Sequence, residues 1–226
     1  MAVPRLVLFD LDDTLCDYNA ARKTRLGCAF GDAFASSGIV VQNLDEIVAR
    51  SIAIHPHSSD HFPDLLTAYG VTDPDHHQRA KDWYRENRFL GLRLFTEAVA
   101  ILQQVRSTAG VQAVGLVTNG PADIQRDKIN LLELSSHIDF AIISGEFGAE
   151  KPDASIFLEA LRRGGALPQD AIYIGDSPEF DVIGARAAGI REVWYNPARS
   201  DWPLQTPAPR RVIHCLPDIL PILRGA

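Results

Sequence analysis

Asp10 and Asp12 close an apolar run, Leu6 to Phe9. In an extended chain, side chains two apart point to the same side, so the two carboxylates would share one face at the end of a buried strand. Held together, each raises the other's pKa unless a cation lies between them. A divalent ion with oxygen ligands, Mg²⁺ first, relieves that repulsion. A plain acidic turn after a strand would carry the same letters, so the pair needs company to mean more. Thr118-Asn119-Gly120 follows Gly115 to Val117. Its hydroxyl and backbone N–H groups, just before a helix start, suit a phosphate, although the same tripeptide is a common turn. Asp176 follows Ile172 to Gly175 and would complete a hard-ion site beside the first pair. Alternatively Asp176, Ser177 or Asp181 caps a helix. Lys151 precedes Pro152, which puts it in extended backbone at a helix entrance. Such a lysine usually belongs to solvent; here it could neutralise a nucleophile and a phosphoryl group together.

These residues need strands to hold them. After Leu15 the β pattern stops. Helical spacing predicts helices over 19–37, 44–52, 62–69 and 74 to about 90, with Pro56 beyond the end of the second. Residues 16–93 therefore read as an all-helical insertion into an α/β core made of 1–15 and 94–226. The core resumes with a helix over 98–105 and a strand over 111–117. Pro121 opens a helix as its first residue, and 140–143 is a strand. Asp153 caps a helix that Gly164-Gly165 ends. A strand over 171–174, a helix over 181–188 and a last sheet strand over 192–195 follow. Pro197, Pro203, Pro207 and Pro209 mark a loop, and 216–223 a short docking helix.

Composition narrows the setting. The chain has 226 residues, 46% of them hydrophobic and 23% charged, an ordinary globular balance. Its formal net charge of −7 argues against a nucleic-acid surface. No apolar run is long enough to span a bilayer. The first strand begins almost at once, leaving no room for a signal peptide, so a cytoplasmic location is expected. Cys16, Cys28 and Cys215 are expected to be small buried thiols. His55, His57 and His61, with His76-His77, read as a solvated loop in preference to a zinc site. Arg22, Lys23 and Arg25 read as a solvated helix face in preference to a contact with an anionic substrate.

The motifs Phe9 to Leu15, Val117 to Gly120, Lys151-Pro152, and Gly175 to Ser177 followed by Asp181 together resemble the haloacid dehalogenase superfamily of phosphohydrolases, in its order and near its spacing. The resemblance implies a Rossmann-like, doubly wound parallel sheet with an inserted helical cap closing over the substrate. It implies Asp10 as nucleophile, Asp12 as general acid and base, and Thr118 and Asn119 with Lys151 as phosphate ligands. Mg²⁺ would be held by Asp10, the Asp12 carbonyl and Asp176, with Asp181 in support. The reaction implied is Mg²⁺-dependent hydrolysis of a small phosphorylated metabolite, a sugar phosphate or a nucleotide, through an aspartyl phosphate. A phosphomutase and a non-catalytic phosphoacceptor or binding module are the alternatives. Where relatives often have a proline after the cap, this chain has Phe95-Thr96-Glu97. True dehalogenases of the superfamily lack an acid two residues after the nucleophile; this chain keeps Asp12.

Overall fold

The structure is a computed structural model and describes residues 3–55 and 58–224. Along the chain the elements run β1 (Leu6–Phe9), α1 (Tyr18–Ser37), α2 (Leu44–Ile54), α3 (Phe62–Ala68), α4 (Pro74–Glu86), α5 (Ala98–Ser107) and β2 (Ala113–Thr118). They continue with α6 (Ala122–Leu131), β3 (Phe140–Ile143), α7 (Ser144–Phe147), α8 (Ala154–Gly164), β4 (Ala171–Gly175), α9 (Gly184–Ala187), β5 (Arg191–Tyr195), β6 (Val212–Ile213) and α10 (Ile219–Leu223). Contacts divide the described residues into two compact units: those up to Asp17 with those from Leu94 onward, and Tyr18–Arg93.

The first unit is built on a six-stranded sheet of order β3-β2-β1-β4-β5-β6, with every pairing parallel. β1 lies in the middle, its four residues paired with Ala113 to Leu116 on one side and Ala171 to Ile174 on the other. All four are fully buried. A strand covered on both faces has no solvent side, which is why its sequence is a continuous apolar run and not an alternation. The chain builds outward from β1 to β3, then crosses back to place β4 on β1's other edge. In such a doubly wound sheet the crevice for ligands opens at the carboxyl ends of the strands where the order reverses, here β1 and β4.

One face of the sheet packs Leu6, Leu8, Val117 and Tyr173 against Ile156, Phe157 and Ala160 of α8 and Ala185 of α9. Asp153 caps α8 as expected, its carboxylate accepting the Ser155 N–H at 2.8 Å, and Gly165 ends the helix in the left-handed region. The approach of α9 to α8 depends on Gly184, where an added Cβ would meet the Phe157 ring at 2.5 Å. The helical unit has its own core. Leu26, Phe30 and Phe34 of α1 pack with Ile47 of α2, Phe62 and Leu66 of α3, and Ala80 and Tyr84 of α4.

Several expectations are corrected. The sheet does not end at Tyr195: β6 follows the proline-rich loop and pairs Val212 with Trp194 and Ile213 with Tyr195. A two-residue strand is too short to show a period in sequence. α4 stops at Glu86: the backbone leaves helical geometry at Asn87 (φ −99°, ψ 32°), whose side-chain amide donates to the Trp83 carbonyl at 2.8 Å. Pro121 stands one position before α6, in extended ψ. The helix expected from Asp181 starts earlier, as a wide π-type turn over Pro178–Ile183 capped by Ser177. Of the cysteines only Cys16 is buried; Cys28 falls outside the stripe of Leu26, Ala29 and Phe30 that α1 buries. His77 is buried and bonds the Val71 carbonyl at 2.6 Å, so it belongs to the helical core and not to a loop. Pro56 and His57 lie outside the described residues. Among the described residues no helix is long and apolar enough to cross a membrane.

Gly184→Ala should lower unfolding free energy by about 1–3 kcal/mol through overpacking against Phe157. Urea unfolding followed by circular dichroism reads this; an unchanged midpoint would show that α8 and α9 separate without cost.

Candidate active site

All seven residues singled out as site candidates belong to the sheet unit. Asp10 extends β1 by one residue, its N–H donating to the Ile174 carbonyl at 2.9 Å. The chain then turns sharply: Asp13 takes a positive φ of 60°, which aspartate tolerates better than most residues, and Leu15 and Cys16 N–H groups return to the Leu11 carbonyl. Thr118 is the last residue of β2, and Asp176 follows the last residue of β4. Lys151 lies between α7 and α8, before a cis bond to Pro152.

Lys151 is the hub. Its ammonium donates to Asp10 Oδ1 at 2.5 Å, Asp181 Oδ1 at 2.7 Å and the Tyr173 hydroxyl at 3.1 Å. An ammonium has three N–H donors, and here each has an acceptor. Burial works against the charge, but Asp10 and Asp181 outweigh it and hold the lysine above its usual range. The backbone of Lys151 is fixed too. The Asn119 amide donates to the Lys151 carbonyl at 3.0 Å and accepts its N–H at 2.8 Å. Asn119 therefore uses its side chain to hold Lys151, and only its main chain is left to meet a phosphate.

Asp10, Asp176 and Asp181 bring one oxygen each within 4.8 Å of one another. Burial pushes Asp10 up to about 7, with Lys151 pulling the other way and Asp181 adding to the rise. Burial likewise pushes Asp176 up to about 8, reinforced by Asp181 and Asp10. Three carboxylates against one ammonium leave two negative charges when all are ionised, the charge and the all-oxygen donor set that suit a small divalent cation. Asp181 is the least available of the three. Its Oδ1 takes Lys151 and Tyr173, and its Oδ2 takes the Ser177 N–H at 2.9 Å. Gly175 makes its position possible, since a Cβ there would lie 2.3 Å from the Asp181 carboxyl carbon. Asp176 is oriented by Thr14, whose hydroxyl donates to its Oδ1 at 3.2 Å and accepts its N–H at 3.1 Å.

Asp12 faces a different group. Lys128 donates to its Oδ2 at 2.6 Å, and the Gln125 amide reaches the same oxygen at 3.3 Å. Gln125 also donates to the Thr118 hydroxyl oxygen at 2.5 Å. A hydroxyl that accepts at its oxygen keeps its own proton for another acceptor. Gln125 thus leaves Thr118 ready to donate.

Sequence reading missed Gln125, Lys128, Tyr173 and Thr14. Two of these had a signal: Gln125, Lys128 and Ile129 fall at i, i+3 and i+4 on α6, the buried stripe of the helix. Polar residues in an apolar stripe directly after Thr-Asn-Gly mark a helix aimed at a polar site. Tyr173 is one more bulky residue in a buried strand until its hydroxyl is located. Cys16 lies beside Asp12 and the Leu11 carbonyl, and burial followed by the Asp12 charge pushes its thiol well up, in line with a packing role.

A parallel doubly wound sheet that gathers three carboxylates and a buried lysine at the ends of β1 and β4 defines an α/β enzyme of the aspartate-centred kind. The profile of the haloacid dehalogenase-like hydrolases matches residues 4–189. A phosphoserine phosphatase from Thermus thermophilus is 38% identical over 133 residues, 59% of this chain and 52% of that protein, so this match spans about half of the relative's length. A glyceraldehyde 3-phosphate phosphatase from Methanopyrus kandleri is 31% identical over 194 residues, 82% of this chain and 81% of its own. Among solved structures, a 2-haloacid dehalogenase from Pseudomonas syringae superposes with a TM-score of 0.63 at 30% identity, covering 100% of this chain and 99% of that one. The chain belongs to the haloacid dehalogenase-like hydrolase family.

The raised carboxyls have a consequence for stability. Asp10 and Asp176 hold protons more tightly folded, at about 7 and about 8, than their ordinary value of 3.8. The folded state then carries more protons than the unfolded one across that window, so stability falls as pH rises through it. In chelator, the melting temperature should drop between pH 5 and pH 8. Asp10→Asn should flatten the slope, and added divalent cation should flatten it in the wild type. A pH-independent melting temperature in chelator would show that folding does not raise Asp10 and Asp176.

Proposed function

We propose that the protein is a Mg²⁺-dependent phosphatase that hydrolyses a small phosphomonoester through an aspartyl phosphate on Asp10. The observation that carries this reading is the Asp12 carboxylate, held by Lys128 and Gln125 two residues beyond Asp10. A haloacid dehalogenase expels halide, which leaves without a proton. A phosphomonoester expels an alkoxide, which needs one, so an acid beside the nucleophile is called for only in the second reaction. The two phosphatase relatives act on phosphoserine and glyceraldehyde 3-phosphate by their names, and a small phosphorylated metabolite is the substrate class we infer.

In this reading an Asp10 carboxylate oxygen attacks phosphorus and the bond to the leaving oxygen breaks. Asp12, protonated, gives that oxygen its proton. Thr118 donates to a phosphoryl oxygen, its acceptor side taken by Gln125. Lys151 holds Asp10 in place and offsets the charge that gathers as two anions approach. In the second half Asp12, now a carboxylate, takes a proton from water. The water oxygen bonds to phosphorus, the Asp10–phosphorus bond breaks, and inorganic phosphate leaves. The donor set of Asp10, Asp176 and the Asp12 carbonyl fits Mg²⁺, with Asp181 supporting through Lys151. When bound, the ion would supply positive charge to the phosphoryl oxygens. The helical insertion, expected at 16–93, is read as the substrate-selecting cap.

Two variants separate the roles of the first acids. With para-nitrophenyl phosphate, whose leaving group needs no proton, Asp12→Asn should still form the acyl phosphate and then stall. Asp10→Asn should form none. Rapid quenching and peptide mass spectrometry should find the added phosphoryl mass only in the Asp12 variant, on Asp10. Label on any other residue, or a labelled Asp10→Asn protein, overturns the assignment.

Lys151→Ala should lower kcat by about 10²–10³, the scale of losing one electrostatic stabiliser. Steady-state kinetics at saturating Mg²⁺ measures it; normal turnover would make Lys151 a structural counter-ion only.

A further inference from the structure

Arg22 and Arg25 do not form the solvated face expected of α1. Both are buried, Arg25 with only 4% of its surface exposed. Arg25 belongs to the helical unit and meets groups of that unit. Its Nη1 donates to the Arg88 carbonyl at 2.5 Å, and its guanidinium lies 5.3 Å from the centre of the Tyr18 ring and 4.9 Å from that of Tyr84. Two aromatic faces offset part of the cost of burying the charge. They do nothing for the N–H groups. Nε and Nη2 of Arg25 are buried with no hydrogen-bond partner among the described residues.

Which two nitrogens are left matters. Nε and Nη2 share one edge of the guanidinium, the fork that grips two oxygens of one oxyanion with parallel bonds. This chain uses that edge elsewhere for carboxylates. Arg79 grips Asp32 through Nε and Nη2 at 2.9 and 3.2 Å, and Arg162 grips Glu159 at 2.7 and 2.8 Å. Those pairs lie at the surface, where water could replace either partner. At Arg25 the fork is unpaired in a buried setting, where an unmade bond to a charged donor is costly. The two tyrosine rings pack against the guanidinium at 5.3 and 4.9 Å.

We infer that Arg25 anchors an anion site in the helical unit, one that takes a small-molecule oxyanion, a carboxylate or phosphate group, side-on through Nε and Nη2. Arg22 is also buried, with its guanidinium 5.7 Å from the centre of the same Tyr18 ring and its Nη2 donating to Asn19 Oδ1 at 3.1 Å. The ligand must present two coplanar oxygens on one atom. Chloride and other single-point anions satisfy the charge but only one of the two donors.

The test reads the fork directly. In the full ¹⁵N-labelled chain, the Arg25 side-chain Nε–H resonance, assigned through the protein backbone and checked by its loss in Arg25→Lys, is followed during titration. Sodium acetate, sodium phosphate and sodium chloride are used at equal ionic strength. A saturable downfield shift with acetate identifies a carboxylate site, and one with phosphate alone identifies a phosphate site. Chloride should produce neither. The wild-type titration stands even if Arg25→Lys fails to fold. An Arg25 Nε–H that responds to neither oxyanion, or equally to chloride, overturns the proposal.

Discussion

The sheet unit depends on one buried cation. Lys151 ties Asp10 at the end of β1 to Asp181 beyond β4, and Tyr173 in β4 bonds the same ammonium. Remove the lysine's charge and three acids would face one another with nothing between them; remove the acids and an ammonium would be stranded in the core. Either change leaves an uncompensated buried charge, the costly outcome for such clusters. Neighbouring structure serves this contact. Asn119 fixes the lysine's backbone, Gly175 leaves room for Asp181, and the Tyr173 hydroxyl lies 3.1 Å from the Val117 carbonyl and so links β2 to the group.

The acids fall into two sets with different neighbours. Asp10, Asp176 and Asp181 share one cation and retain excess negative charge. Asp12 instead faces Lys128 and Gln125, the glutamine shared with Thr118. Two carboxylates that look alike as letters are thereby given different electrostatic surroundings, which is what distinct roles for a nucleophile and a proton carrier require.

Much of this was legible in sequence because it rests on short-range rules. A buried central strand must be an apolar run, so β1 and the acid at its end were plain. Asp153 and Gly165 are recognisable caps. Lys151 was found from its place before a proline and from family resemblance. What was hidden depends on three-dimensional neighbours. Gln125 and Lys128 needed α6's buried stripe to be seen as facing polar groups. Asn119 was assigned to phosphate because its amide's true partner, the Lys151 backbone, is 32 residues away. Arg25 was taken for a solvated residue because nothing in the letters says that Tyr18 and Tyr84 enclose it. β6 was missed because two residues cannot display a period.

The placing of β1 also bears on how the chain is made. Its partners are Ala113 onward and Ala171 onward, so during synthesis a strand of four large apolar residues emerges long before either neighbour exists. The helical unit comes out next, and its contacts are local enough to form quickly. The nascent chain therefore holds every residue of the helical unit while β1 still lacks both its neighbours, an unpaired strand awaiting the ribosome's later output. Conditions that slow translation between α5 and β4 would lengthen that interval and favour capture by chaperones or self-association through Leu6 to Phe9.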